Sequence, residues 1–380
     1  MADTLDALVV FGEDWGAHPS STQHLMTQLQ DRYAIAWFNS LGLRRPRLSG
    51  ADLQRVWRKG AAMMRPANAT KAQNGAPAAP FPVIAPRVIP WPGAELADAF
   101  NGRALAAQIN AARRSHNLER MAIWTSLPTA MPALRYFPEA PVIYYCGDDF
   151  GALAGVDHGP VSRLEARLAE RADLILTASQ VLAHRFAPQK THVVSHGFHA
   201  DRFSEPAARA PELDAVPPGP IAGFYGALEA WIDVAALHRA ATILTEWQFV
   251  LIGPVRTDVR RLETLPNVHL LGPKPHERLA QFSQHWDVSL LPFRDCDQIT
   301  ACNPLKLREY LAAGTPIAAA IPFPALAPYR ALVACADGHT FSDAIVAAAG
   351  DAARNGARRQ AVEGESWADR AATVAELIAA

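Results

Sequence analysis

The chain has 380 residues, half of them hydrophobic and 19 % charged, with a formal net charge of −1. That length exceeds what one core usually holds, so two domains are expected, and the composition is globular rather than disordered. The near-neutral balance gives no global pull toward nucleic acid, and no apolar run approaches the roughly 20 residues a membrane span needs. The acidic start Met1-Ala2-Asp3-Thr4-Leu5-Asp6 lacks the basic leader of a signal peptide, so a cytoplasmic protein is expected. Cys146, Cys296, Cys302 and Cys335 form no CxxC pair and no Cys/His zinc spacing, which predicts reduced thiols and no metal site.

In chain order, Ala7-Leu8-Val9-Val10-Phe11 is a short apolar run closed by Gly12, the pattern of a buried parallel strand. Ser20-Ser21-Thr22 supplies capping hydroxyls for a helix through His24 to Leu29, and Ala34-Ile35-Ala36-Trp37-Phe38 is the next strand. Further strands are predicted at Met121-Ala122-Ile123-Trp124, Val142-Ile143-Tyr144-Tyr145, Leu174-Ile175-Leu176-Thr177 and His192-Val193-Val194, separated by helical stretches such as Arg163 to Glu170. Alternation of this kind predicts a parallel, doubly wound α/β sheet.

Residues 44–65 carry seven cations (Arg44, Arg45, Arg47, Arg55, Arg58, Lys59, Arg65) against one acid, Asp52. Leu53, Val56, Trp57, Met63 and Met64 fall there at roughly helical spacing, so the segment reads as a basic amphipathic helix suited to an anionic membrane surface, or as a solvated helix on its own domain. Residues 66–92, rich in Pro and Ala, read as an extended surface insertion.

Pro206, Pro211, Pro217, Pro218 and Pro220 mark residues 204–220 as a stiff linker. The alternation then restarts. Ile221 to Tyr225 is a strand, Val234 to Leu244 a helix, Gln248 to Ile252 a strand ended by Gly253, and Val268 to Leu271 a strand ended by Gly272. Val288 to Leu291 and Pro316 to Ala319 complete the set. The expected domains are 1–203, 221–365 and a closing helix over 366–380, with ligand bound at the C-terminal strand ends in a cleft between the two sheets.

The stretch richest in chemical meaning is Thr300-Ala301-Cys302-Asn303-Pro304-Leu305-Lys306-Leu307-Arg308-Glu309-Tyr310-Leu311-Ala312-Ala313-Gly314-Thr315-Pro316. Asn303 suits an N-cap, Pro304 the first helical position, Gly314 the residue after the helix, and Pro316 the stop. A helix start of this kind presents free amides and a positive dipole end to a diphosphate. Lys306 and Glu309, spaced i, i+3, are expected on one face, the first holding phosphate and the second accepting a ribose diol. An ordinary surface salt bridge is the plainer alternative.

These residues resemble the glycosyltransferase group 1 (family 4) class of the GT-B superfamily, in which Pro-x-Lys-x-x-Glu-Tyr-x-Ala-x-Gly-x-Pro forms the donor site. The likeness continues through Gly223-Phe224-Tyr225-Gly226-Ala227-Leu228, Trp247 to Gly253, Asn267 to Pro275 and Asp287 to Phe293. It implies two Rossmann-like domains facing each other across a cleft, with the C-terminal helix returning to the N-terminal domain. It also implies a UDP- or GDP-sugar as co-substrate, no cofactor, and donor contacts at Gly226, Arg256, Lys274, Thr300, Asn303, Pro304, Leu305, Lys306 and Glu309. Lys274 lies in the segment whose backbone meets the nucleotide base. In the N-terminal half, Asp14-Trp15-Gly16-Ala17-His18-Pro19 resembles the loop that faces donor and acceptor, Tyr144 to Phe150 an acidic strand end, and Ser195-His196-Gly197-Phe198-His199 a connecting motif.

Two departures stand out. The class commonly has a glutamate eight positions before Glu309, where this chain has Ala301, and Trp124-Thr125-Ser126-Leu127-Pro128 replaces a His-x-x-Pro strand end. Both loosen what can be inferred about the sugar. Transfer needs leaving-group stabilisation and a route for the acceptor's proton. Asp148 and Asp149 are the expected catalytic pair, as base or as positioners, with His18 beside them and Gly16 and His196 on the acceptor side. The expected function is sugar transfer to a glycan or lipid-linked glycan in surface or exopolysaccharide biosynthesis. A GT-B nucleotide-sugar epimerase and a non-catalytic binding protein are the alternatives.

Overall fold

The structure, a computed structural model, describes residues 5–16, 20–42, 79–89, 91–151 and 156–380. His18 and the basic stretch 44–65 lie outside the described residues. Two units divide the chain: Met1–Ser195 with Arg370–Ala380, and His196–Asp369.

In the first unit the strands are β1 (Ala7–Phe11), β2 (Ala34–Phe38), β3 (Val83–Ile84), β4 (Met121–Thr125), β5 (Val142–Cys146), β6 (Leu174–Thr177) and β7 (Thr191–Val193). They pair in parallel in the order β3-β2-β1-β4-β5-β6-β7. Every residue of β1, β4, β5 and β6 is buried, which is why these strands read as continuous apolar runs. Helix α1 (Ser21–Leu29) starts where Ser20 Oγ accepts the Gln23 amide at 3.3 Å. Helix α2 (Glu95–His116) ends on Asn117 in the left-handed region, φ 53°, its amide donating to Arg113 O. Helix α3 (His158–Arg171) buries Val161, Leu164, Glu165 and Leu168.

The described part of the predicted insertion is an edge, not a detached loop. Val83 and Ile84 pair with Trp37 and Phe38, and Arg87, Ile89 and Gly93 are then bonded to α2. The Gln108 side chain takes the Arg87 amide at 2.9 Å, Asn101 bonds both backbone groups of Ile89 at 2.7 and 2.8 Å, and Asp98 takes the Gly93 amide at 3.2 Å. Three side chains of one helix thus take up backbone groups of this extended segment.

In the second unit the strands are β8 (Ile221–Tyr225), β9 (Gln248–Ile252), β10 (Val268–Gly272), β11 (Val288–Leu291), β12 (Ile317–Ala319) and β13 (Val333–Cys335), ordered β10-β9-β8-β11-β12-β13. Helices α4 (Val234–Ile243), α5 (Leu305–Ala313) and α6 (Phe341–Ala349) belong to this unit, and α7 (Trp367–Ala379) begins in it. Gly223 in β8 lies under Trp286: a Cβ there would sit 1.7 Å from the indole, whose Nε1 donates to Ser289 Oγ at 2.9 Å.

The Pro-rich stretch 204–220 is not a free linker. Ala210 and Leu213 are buried in the core of the second unit, and Glu212 binds Lys274 and Arg278. Proline excludes regular helix but suits the tight turn Pro211–Leu213, which brings those groups inward. The division accordingly falls before His196 rather than after residue 203.

Candidate functional site

In the second unit, chemistry-bearing side chains gather where β8 and β9 end and α5 begins. Gly226 and Gly253 follow the two strands with φ of 137° and 142°, conformations that favour glycine. A Cβ at Gly253 would lie 2.1 Å from Gly226 O, so the two turns stack backbone on backbone. The Gly226 amide donates to Ile252 O at 2.8 Å and the Gly253 amide to Gly272 O at 3.0 Å.

Lys306 lies along this glycine wall. A Cβ at Gly226 would meet its Cε at 3.0 Å and its Nζ at 3.2 Å. The ammonium sits 5.4 Å from the ring centres of both Phe224 and Phe293. Among the described residues no carboxylate stands within 4.0 Å of it. Desolvation lowers its pKa, opposed by Cys302 and Glu309. A cation held half-buried without a carboxylate partner is poised for an anion from solution.

The start of α5 differs from the expectation by one residue. Pro304 occupies the cap position with no side-chain cap, and Leu307 N donates back to Pro304 O at 3.1 Å. The Asn303 carboxamide oxygen instead accepts from Arg308 Nη1 at 2.6 Å. Arg308 is 4 % exposed and must be fully paired; its Nε meets Glu365 at 2.6 Å, and Glu365 also accepts the Tyr329 hydroxyl. The Asn303 side chain is thus tied to Arg308, and the helix starts on Pro304 with no side-chain cap of its own. Gly314 closes the helix at φ 79°, as expected.

One turn on from Lys306, Glu309 is held by side chains from outside its own helix. Glu309 is 2 % exposed, accepting the Tyr225 hydroxyl and the His276 Nε2 proton, each at 2.7 Å. The opposite nitrogen, His276 Nδ1, faces Arg202 Nη1 at 3.2 Å; because guanidinium only donates, the imidazole proton is fixed on Nε2. Burial and Glu309 raise the Tyr225 phenol well above its usual range. His199 packs edge-on to His276 with centroids 5.8 Å apart, and burial, then Arg202 and His276, push its pKa down to about 4. His199 entered the sequence reading only as the end of the Ser195–His199 motif, and Arg202 and His276 not at all; His276 stands 33 positions from Glu309, and no local spacing links them.

Other expected donor contacts are dispersed. Lys274 Nζ is bound to Glu212 at 3.0 Å, and with Arg278 it holds that carboxyl down at about 2. Arg256 is mostly exposed and pairs with Glu229 at 3.0 Å, on the loop whose Leu228 amide donates to Pro254 O. Thr300 Oγ1 donates to Cys296 O at 3.3 Å within the short helix Asp297–Ala301. Leu305 is half-buried and Pro304 buried beside Lys306. His196 opens the second unit and is half-buried; Gly197, next to it, has no room for a Cβ against Trp367 N, 2.7 Å away.

In the first unit the acidic strand end after β5 separates its two aspartates. Asp149 accepts from Arg185 Nη1 and from the Gly151 amide, both at 2.8 Å. Arg185 Nη2 meets the buried Glu165 at 2.8 Å, and Glu165 also accepts the Tyr144 hydroxyl at 2.7 Å. Cys146, buried beside that carboxylate, is pushed up to about 12 by burial and then by Glu165. Asp148 is left exposed, without a hydrogen bond to its carboxylate among the described residues. Desolvation by the surrounding protein, then the charges of Asp149 and Glu13, hold its carboxyl above the ordinary range. Glu13 accepts from Ser20 Oγ and, at 2.9 Å, from Gln23 Nε2. Gly16, at φ 78°, follows a stretch pinned by Trp15 N to Asn39 (3.0 Å) and Trp37 Nε1 to Glu13 O (3.1 Å). Among the described residues no three His, Cys, Asp or Glu side chains stand where they could hold a metal.

The chain as a whole resembles solved structures. The sucrose-phosphate synthase of Thermosynechococcus elongatus aligns over 98 % of both chains at TM-score 0.68 and 15 % identity. HepE of Anabaena, solved with UDP and glucose, aligns over 99 % of this chain and all of its own at 0.66 and 14 %. The fold is GT-B. A third GT-B match is the UDP-forming α,α-trehalose-phosphate synthase of Burkholderia vietnamiensis, at TM-score 0.64 and 15 % identity over 99 % of this chain and all of that one. These identities carry the architecture and nothing finer. By sequence, the chain is 27 % identical over 223 residues to the putative teichuronic acid biosynthesis glycosyltransferase TuaH of Bacillus subtilis. That match covers 53 % of this chain and 56 % of TuaH, so it spans little more than half of either. No protein-family profile matches the chain.

Proposed function

We propose that this GT-B chain is a glycosyltransferase that takes a sugar from a nucleoside diphosphate sugar to a glycan or lipid-linked glycan in polysaccharide biosynthesis. The observation that carries this reading is Lys306: an ammonium with no carboxylate partner among the described residues, laid along the Gly226 turn at the start of α5. A diphosphate leaving group needs such a cluster of fixed positive charge, here without a metal. The partial likeness to TuaH points the same way. Gly226, Asn303, Pro304, Leu305 and Lys306 form the diphosphate side, with Asn303 held by Arg308. Glu309 reaches the ribose through its remaining lone pairs, while its Tyr225 and His276 bonds fix its orientation. Asp148 receives the acceptor's proton or orients the acceptor, and Asp149 anchors the loop through Arg185. Contact with an anionic membrane through residues 44–65 at the cytoplasmic face would bring a lipid-linked acceptor within reach.

Thermal unfolding with UDP, GDP and ADP tests the donor site. Saturation at a hundredfold excess over Kd adds about 2.7 kcal/mol, a rise of several degrees for one of the three. Lys306→Ala is expected to abolish the rise while leaving the ligand-free melting temperature close to wild type. Indifference of the wild-type chain to all three nucleotides would sink the donor site. Product analysis across a panel of sugar donors with membrane lipid extract then separates transfer from epimerisation and from binding alone.

A further inference from the structure

Helix α2 carries a second feature that the donor site does not use. Its inward stripe is conventional: Ala97, Leu105, Ile109 and Ala112 are buried. Its outward stripe, at spacings of three and four, runs Leu96, Phe100, Arg103, Ala107, Asn110, Arg114. Leu96 is 88 % exposed and Phe100 53 %, on a face where polar residues are the rule.

Neighbouring elements extend this face. Gly102 brings α2 against residues 132–136, its would-be Cβ meeting Pro132 O at 2.5 Å and Tyr136 at 3.0 Å. Arg135 Nη2 reaches Ala99 O at 3.5 Å and the Tyr136 hydroxyl at 2.9 Å, with its guanidinium over the Tyr136 ring. On the other flank, the segment bonded to Asn101 and Asp98 presents Ile89 and Trp91, both close to half exposed.

The charges on this face favour one sign. From Ala99 to its end α2 has Arg103, Arg113 and Arg114 and no acid, and Arg135 adds a fourth cation. Glu95 and Asp98 are confined to the first turn, where Asp98 is turned to the Gly93 amide.

From this we infer that the outer face of α2, with Leu96 and Phe100 at its centre and Arg103, Arg114 and Arg135 around them, docks on an anionic lipid surface. Leucine and aromatic side chains enter the boundary between headgroups and acyl chains, while arginines stay at headgroup level on flexible stems. A second copy of the chain fits less well. Two cationic faces repel, and these few side chains fall far short of the roughly 20–30 residues a side that a stable interface uses. This face does not depend on the donor site, so its success or failure leaves the glycosyltransferase reading where it stands.

Sedimentation of the full chain with vesicles tests the inference directly. Vesicles of phosphatidylcholine with phosphatidylglycerol are expected to pellet the protein, and vesicles of phosphatidylcholine alone to pellet much less. Leu96→Ser with Phe100→Ser, and separately Arg103→Glu with Arg114→Glu, should each lower the partition about tenfold. Because all four side chains are exposed, both variants should melt near the wild-type temperature, which excludes misfolding as the cause. Vesicle binding that survives the Leu96/Phe100 pair assigns attachment to another part of the chain and overturns the proposal. A concentration-dependent dimer that the same pair dissolves, with no vesicle binding, overturns it in favour of self-association.

Discussion

Two adjacent aspartates of identical chemistry have different surroundings. Asp149 is saturated by Arg185 and the Gly151 amide, whereas Asp148 keeps a desolvated carboxylate next to two other negative charges. If Asp148 is the base, it must be ionised to act. Its pKa is raised, so kcat/KM should fall with acidification at a pH above the ordinary aspartate range. Asp148→Asn should remove that acid limb along with most activity. Asp149→Asn should keep the limb and cost about 1 kcal/mol of stability, the scale of a partly exposed ion pair, read by denaturant titration. An acid limb unchanged in Asp148→Asn would take the proton route away from this residue.

At the scale of elements, the sheets were the most legible part of the sequence. β1, β2, β6, β8, β9 and β11 lie where the apolar runs place them, because strands covered on both faces need unbroken hydrophobic stretches. β3 has two residues at a sheet edge, and β13 follows a proline-containing 3-10 stretch, so neither gives such a run. α2 was left unassigned because Leu96 and Phe100 on its outer face blur the helical period. The start of α5 was displaced by one residue through a demand no local pattern encodes: a buried Arg308 that needs Asn303 and, 57 positions away, Glu365. The donor motif was therefore readable as a helix, while the partners that fix Glu309 were not. Packing at the element scale also yields a stability prediction. Gly223→Ala forces Trp286 out of its place against β8 and should cost about 1–3 kcal/mol or more, seen as a lower denaturation midpoint with an unchanged slope.

For the whole molecule, the division is not between an earlier and a later half. Arg370–Ala380 belongs with Met1–Ser195, and in this last helix Ala371, Val374, Ala375 and Ile378 are all buried. Removing residues 370–380 withdraws two large aliphatic side chains worth roughly 1.5–3 kcal/mol each in burial, together with the smaller alanines. Calorimetry of that truncation should show the loss in a transition distinct from the one that a bound nucleotide raises. A single transition shifted as a whole would mean that the two units unfold as one. The same interrupted arrangement bears on how the protein is made. The second unit is continuous and can close as soon as it leaves the ribosome, whereas the first, though begun earlier, stays unfinished until the second has been synthesised. During that interval the nascent first unit lacks its closing helix, so translation speed through the second unit sets how long an incomplete hydrophobic surface is open to chaperones and proteases.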